Sequence, residues 1–289
     1  MELIKKIFSP IGAILKFFSE HFKGLLFVLI LFLIFAPSSK ENISHYNLQK
    51  IKLSGTILDV SEVLSQIQKA TDDSHVKGVL FEVNSPGGAV APSVELAYAI
   101  KKLKEQKPVV VYGSGVVASG SYYASIWADK IIVNPGSMVG SIGVIMQGAN
   151  LSELMDKIGI KTQVVKAGKY KQVGTPDRAW KPYEIAELNK VIQDTYDMFT
   201  SDVANARKLD IKKRDMWANA HIFTARQAKD VGLIDMVGVE SDAKEELVRL
   251  SGVTTPIWNK EDKFEKLFKK LSAQTATILY TYFPSISLR

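Results

Sequence analysis

The sequence contains no cysteine, which removes a thiol nucleophile, a disulfide framework and thiolate metal sites in one step. The absence does not fix a compartment, because a cysteine-free chain survives on either side of a membrane. Histidine is scarce as well, with His21, His45, His75 and His221 the four in 289 residues. The first borders an apolar run, the second lies in a polar linker, the third precedes a predicted strand and the fourth sits in a loop-like segment. None occupies a glycine-rich or strand-end setting that suggests a catalytic imidazole. A dense Lys/Arg block, zinc-ligand spacing and aromatic RNA motifs are also lacking, so the formal charge of +7 does not point to nucleic acid. No repeat of fixed period is visible. What is present is globular in character: 46% hydrophobic and 23% charged residues, in a chain long enough for one sizeable α/β domain and an anchor.

Much of the positive excess lies at the two ends, with Lys5, Lys6, Lys16 and Lys23 before an apolar run and Lys260, Lys263, Lys266, Lys269 and Lys270 near the C-terminus. These read as membrane-surface charges. Residues 24–39 carry no charge and 25–36 are continuously apolar. A helical span wants about 20 residues, with about 17 as a working minimum, so this one is short. Lys23 can snorkel, and Phe17, Phe18 and Phe22 can lengthen the buried stretch. A cleaved signal peptide is the competing reading, but Ala36-Pro37-Ser38-Ser39 offers no clear small-x-small cleavage site. The expectation is a retained anchor at 24–39 after a basic N-terminus, 1–23, held in the cytoplasm by its lysines. The bulk of the chain then lies on the other side.

A polar linker, 40–47, leads into a domain expected over 48–240. Alternation predicts a strand at 49–54, a helix at 61–70, a buried strand at 76–83, the turn Asn84-Ser-Pro-Gly-Gly88 and a helix at 93–105. A second buried strand, 108–112, is followed by a glycine-rich turn at 113–115 and a helix at 119–128. Strands at 131–134, 142–147 and 162–166, short and long helices at 151–158 and 182–207, and a final helix and strand within 225–237 complete the pattern. Such alternation argues for a single α/β domain with a mainly parallel sheet. A helical extension is expected over 241–289, its segment 262–282 beginning amphipathically and suited to a partner subunit, a membrane or simple terminal packing.

The stretch richest in chemistry is Ser114-Gly-Val-Val-Ala-Ser119-Gly-Ser-Tyr-Tyr123, a turn of small residues between a buried strand and a helix. A serine there meets backbone N–H groups and a helix dipole that favour negative charge. An N-cap serine has the same appearance. The dinucleotide fingerprint is matched loosely by Gly113, Gly115 and Ala118, but no acidic residue ends the next strand. The Gly-x-Ser-x-Gly elbow fails because Val117 and Ser121 replace its glycines. With histidine unhelpful, lysine becomes the candidate base, and the residues alone do not choose which. Ser-x-x-Lys at Ser74 and Ser241 lacks the companion motifs that would give it weight.

The choice comes from a resemblance. Asn84-Ser-Pro-Gly-Gly88, Ala118-Ser-Gly-Ser-Tyr-Tyr123, Ala128-Asp-Lys-Ile131, Gly140-Ser-Ile-Gly-Val-Ile145, Ala167-Gly-Lys-Tyr-Lys171, and Gln227-Ala228 with Gly232-Leu-Ile-Asp235 occur in the order seen in the signal peptide peptidase A (protease IV) family, which the chain resembles over about 48–240. The resemblance implies a Clp-peptidase/crotonase-like α/β fold, with Ser119 as nucleophile, Lys171 as its general base and the Ser141 hydroxyl holding the amine, while Lys169 is the near-miss. The N–H groups of Gly88 and Gly120 would form the oxyanion hole, where glycine lets backbone approach closely. A lysine accepts a proton only when neutral, which at pH 7 needs its pKa brought down from about 10.4 by an apolar setting.

The implied activity is that of a serine endopeptidase in the bacterial inner (cytoplasmic) membrane, single-pass, with a periplasmic catalytic domain. Its implied substrates are apolar peptides, above all remnant signal peptides, bound extended along a strand edge, without metal or cofactor. Short members of the family form closed rings or domes in which a neighbouring subunit supplies the lysine, so a homo-oligomer is expected. Two departures concern local backbone: Ser121 stands where glycine is common, and Ala220-His-Ile-Phe-Thr-Ala225 replaces a Gly-Arg-x-x-x-Gly segment. Three alternatives stay open. The stomatin-associated membrane protease shares the Pro-Gly-Gly turn and a Ser-Lys dyad, a crotonase-like acyl-CoA enzyme shares the fold but needs acidic catalytic residues, and an inactive scaffold would bind membrane proteins without cutting them.

Overall fold

The computed structural model describes residues 17, 19–28 and 46–259, and the chain divides into two compact units, Met1–Ser44 and His45–Arg289. In the first, residues 19–28 form a helix, α1, with Phe22, Phe27 and Val28 exposed. Among the described residues no helix is long and apolar enough to cross a membrane. Most of the anchor expected at 24–39, and all of segment 262–282, lie outside the described residues.

The second unit is built on a seven-stranded sheet in the order β1 (Leu48–Ser54), β2 (Gly78–Ser85), β3 (Val109–Ala118), β4 (Lys130–Val133), β7 (Met236–Val237), with β5 (Met138–Gly140) branching from β3 and β6 (Ile222–Thr224) from β5. Every pairing is parallel except β5 with β6. Strands covered on both faces read as continuous apolar runs, as Val79, Leu80 and Phe81 do. Val79, Phe81 and Val83 face a large core with Leu96 and Ile100 of helix α3 (Val90–Lys104) and Ile67 of α2 (Ser61–Asp72). Leu80 and Val110 face the opposite side, against Ala243 and Leu247 of α9 (Glu240–Ser251). Burying one such Leu or Phe contributes about 1.5–3 kcal/mol.

Two expectations need correction around β3. The glycines at 113–115 do not make a turn, because the strand runs straight through them to Ala118. They are there for close packing: a Cβ on Gly113 would lie 2.6 Å from the Val117 side chain, and one on Gly115 would lie 2.4 Å from Asn84 Oδ1. Within this stretch β3 changes partner, from β4 over Val110–Gly113 to β5 over Val116–Ala118. The helix expected from 119 is the shorter α4 (Gly120–Ser125), with Ser119 at its N-cap.

The strands expected at 142–147 and 162–166 do not form. Residues 141–150 and 160–166 have no regular structure, Ile145 and Val165 are exposed, and neither segment pairs with a described strand. Alternating residues make a segment competent for a sheet, yet a strand exists only where another edge takes up its N–H and C=O groups. Between these segments lies the short helix α5 (Ser152–Lys157), which has no buried residue. The chain returns through Lys171 to the long helix α6 (Pro182–Arg207), which occupies the predicted range, with Pro182 at its first turn and Lys208 closing it at φ 56°. A 3-10 turn at Ile211–Lys213 and the helices α7 (Arg214–Trp217) and α8 (Ala225–Asp230) complete the unit.

Candidate active site

The site grows from the end of β3. Ser119 follows the strand at φ 52°, ψ −124°, a conformation that costs a non-glycine residue about 1–3 kcal/mol and persists only where its surroundings over-determine it. They do so here. The Ser119 N–H donates to Gly140 O of β5 at 2.8 Å, and its carbonyl accepts from Tyr123 N at 3.0 Å. Ser121, fully buried, accepts from Ala118 N at 2.9 Å and donates to Ser85 O of β2 at 2.6 Å. A glycine at 121 would lose that tie, so the departure from the family pattern is a brace for the elbow. Tyr122 is also buried and donates its hydroxyl to Leu233 O at 2.8 Å, and burial pushes its phenol well above the ordinary range.

Ser119 opens onto a cavity of about 290 Å³ whose lining also includes Gly88, Gly120 and Ser141. Four of the five residues singled out in the sequence thus share one pocket. Gly88 forms an isolated parallel bridge with Ile57, in which Ile57 N donates to Gly87 O and Ala89 N to Ile57 O. That pattern turns the N–H of Gly88 away from Ile57. Among the described residues neither Gly88 N nor Gly120 N has a backbone acceptor. The two amides are neighbours: a Cβ on Gly120 would lie 3.5 Å from Gly88 N, and one on Gly87 would lie 2.6 Å from Gly120 N. Side chains are excluded at both positions, since the Gly88 Cβ would meet Ile57 O at 2.1 Å and the Gly120 Cβ would meet Ser93 Oγ at 2.1 Å. A pair of adjacent free N–H donors beside a serine hydroxyl is suited to a developing oxyanion. Ser141 is held at φ 50°, with its N–H bonded to His221 O at 2.7 Å.

The rest of the lining is mainly apolar and comes partly from α6, whose Thr195, Met198 and Phe199 share one face at i, i+3 and i+4. Sequence reasoning missed this wall, although the spacing was there to be read. Tyr123 completes it, stacking edge-on against Phe199 with centroids 4.8 Å apart and donating a short hydrogen bond to Asp202. Burial, and then the Asp202 carboxylate, raise the Tyr123 phenol far above its usual range. It therefore stays protonated as a donor.

Lys171 is the exception, since it is exposed and does not line the Ser119 cavity. It sits in a run of turns, its N–H donating to Gly168 O at 3.3 Å. Lys169 is already engaged, with its ammonium 4.9 Å from the Tyr183 ring centroid and 5.3 Å from that of Tyr170. Among the described residues no ion pair or side-chain hydrogen bond occupies the Lys171 amine. No group of three or more His, Asp or Glu side chains that could hold a metal ion occurs among them either.

Comparison with known proteins gives the arrangement a context. Residues 101–254 match the model of peptidase family S49. A provisionally named protease from Methanocaldococcus jannaschii is 42% identical over 68% of this chain and 64% of its own length. A provisionally named protease from Synechocystis is 35% identical over 76% of this chain and 78% of its own. A provisionally named signal peptide peptidase from Enterococcus faecium is 35% identical over 74% and 67%. Among solved structures, a ClpP1 mutant from Listeria monocytogenes aligns at TM-score 0.45 and 19% identity, over 67% of this chain and 93% of that one.

Proposed function

Because the chain belongs to peptidase family S49 and is a serine peptidase, we propose that Ser119 is its nucleophile and that Lys171 of a neighbouring copy is the general base. The observation that carries the first half is the strained Ser119 elbow beside the free N–H groups of Gly88 and Gly120. For the second half the support is positional. The Lys171 loop is tied through Lys169 and Tyr170 to Tyr183 at the start of α6, whereas the part of the pocket wall that α6 supplies begins at Thr195. The helix between Glu184 and Thr195 is about 16 Å long, more than a lysine side chain spans. Exposed Ile145, Leu154, Ile158 and Val165 on the same excursion are the kind of surface a second copy covers, which supports a homo-oligomer.

In this reading Ser119 Oγ attacks the scissile carbonyl carbon while the neutral Lys171 amine takes the hydroxyl proton. The oxyanion accepts hydrogen bonds from Gly88 and Gly120. Collapse of the intermediate breaks the C–N bond, the leaving amine receives the proton from Lys171, and an ester to Ser119 remains. Water, deprotonated by the same amine, releases the acyl group and restores the serine hydroxyl. Ser141, on the pocket rim, would orient the incoming amine. No metal or cofactor takes part. The apolar wall fits apolar peptides, and we assign remnant signal peptides as the substrates, with the protein held by an anchor at 24–39 in the bacterial inner membrane and its Clp-peptidase/crotonase-like domain outside the cytoplasm.

Hydrolysis of a fluorogenic apolar peptide by the detergent-solubilised full chain tests the assignment. Ser119→Ala and Lys171→Ala are expected to lose about 10³-fold or more in kcat with assembly unchanged, while Lys169→Ala keeps most activity. Full activity in Lys171→Ala would require another base.

A further inference from the structure

Between Ile142 and Phe199 one residue is buried, and it is a carboxylate: Glu184. Every other residue of the excursion at 143–181, and of the first half of α6, is exposed or half-exposed. An excursion of this length without an apolar core has to be held by something else, and a buried carboxylate is tolerated only where charge and hydrogen bonds answer it.

Glu184 is answered on both oxygens. Arg178 donates Nη1 to Oε2 and Nη2 to Oε1, each at 2.7 Å, a bidentate pair that fixes direction as well as distance. Lys181 N donates to Oε2 at 2.7 Å, so the same carboxylate caps the start of α6. The Arg178 fork, and next the Lys181 N–H, hold the carboxyl at about 2. The returning segment is fastened beside it: Trp180 Nε1 donates to Thr175 O at 3.0 Å, and Leu151 N donates to Pro176 O at 2.7 Å. A Cβ on Gly148 would lie 2.5 Å from the Trp180 ring, so the outgoing segment passes directly against the same knot.

The knot leads to Lys171. Tyr183, adjacent to Glu184, stacks edge-on against Tyr170 at 5.7 Å, donates its hydroxyl to Lys169 O at 3.5 Å and receives the Lys169 ammonium over its ring. We propose that the Arg178–Glu184 pair, acting through Tyr183, is the positioning device for Lys171, setting where the base loop stands when it is presented to a Ser119 pocket. This rests on the reading of Lys171 as the base. Arg178, Tyr183 and Glu184 are positioning residues that touch neither substrate nor Ser119.

The test is steady-state kinetics on the assembled full chain with Glu184→Gln, Arg178→Lys and Tyr183→Leu, beside Lys171→Ala. Glu184→Gln is expected to lower kcat at least tenfold with KM within twofold, because most of the pocket lining, Gly88, Ser119, Gly120 and Tyr123 included, lies on other elements and the α6 part of it begins about three turns beyond Glu184. Arg178→Lys, which keeps the charge but not the fork, is expected to fall between it and wild type. Tyr183→Leu alters a half-exposed side chain without removing the buried pair, so it reports on the relay even where a Glu184 variant folds poorly, and it is expected to lower kcat severalfold. If Lys171→Ala is inactive while Tyr183→Leu and Arg178→Lys keep wild-type kcat, the positioning role is wrong and the base assignment survives. If Lys171→Ala is fully active, both fall together. A rise in KM with kcat unchanged also overturns the inference, since it places the effect in substrate binding.

Discussion

The proposed nucleophile and the proposed base are held by different physics. Ser119 stands on the packed sheet, where β2, β3 and β5 fix its neighbours and buried Ser121 and Tyr122 fix the elbow itself. Lys171 stands on an excursion that has no apolar core among its described residues and hangs on the Arg178–Glu184 knot. The strained backbone at Ser119 persists only in the first environment, where many contacts oppose its relaxation. The second leaves apolar side chains such as Ile158 and Val165 uncovered and two strand-competent segments unpaired, the features expected of a surface completed by another copy.

That contrast can be broken by substitution. Phe81→Ala, in the fully buried face of β2, is expected to cost about 3–5 kcal/mol of unfolding free energy in denaturant titration. Val165→Ser, fully exposed on the excursion, is expected to change subunit stability by less than about 0.5 kcal/mol while weakening assembly measured by light scattering. Equal losses of stability at the two positions would mean that the excursion is packed within its own chain.

The smallest expected effect sharpens the comparison through pH. The folded-state carboxyl of Glu184 is depressed to about 2, so its contribution is complete above the ordinary glutamate value of 4.5 and is lost as pH falls toward 2. Hydrogen exchange corrected for intrinsic rates is expected to show residues 143–181 losing protection in that window before β2 and β3 do. Protection that declines in step across both regions would contradict a separate polar fastening.

The sheet was largely legible in the sequence because its strands pair within the chain. The buried runs at β2 and β3 and the long helix from Pro182 to Arg207 are where local pattern places them, while the turn expected at 84–88 is shorter, since Asn84 and Ser85 still belong to β2. The segments at 142–147 and 162–166 failed for a physical reason, as their alternation records a capacity to pair and not the presence of a partner. The glycines at 113–115 were misread because close packing inside a sheet and a tight turn ask for the same residue. At the candidate site, motifs singled out Ser119 and the glycines, which the fold brings to one cavity, yet nothing in the sequence marks Glu184 as buried. At the third position of a helix, a glutamate reads as an ordinary exposed cap. Only the return of Arg178 across the helix start reveals it.

The central claim, a nucleophile and a base contributed by different copies, is tested most directly by mixing. Ser119→Ala and Lys171→Ala chains, each inactive alone, are dissociated, combined in equal amounts and reassembled, and peptide hydrolysis is measured. A base supplied by the neighbour predicts recovery to about a quarter of wild-type activity for random assembly, because some junctions then unite an intact Ser119 with an intact Lys171. Mixed assemblies that form and stay inactive would contradict it.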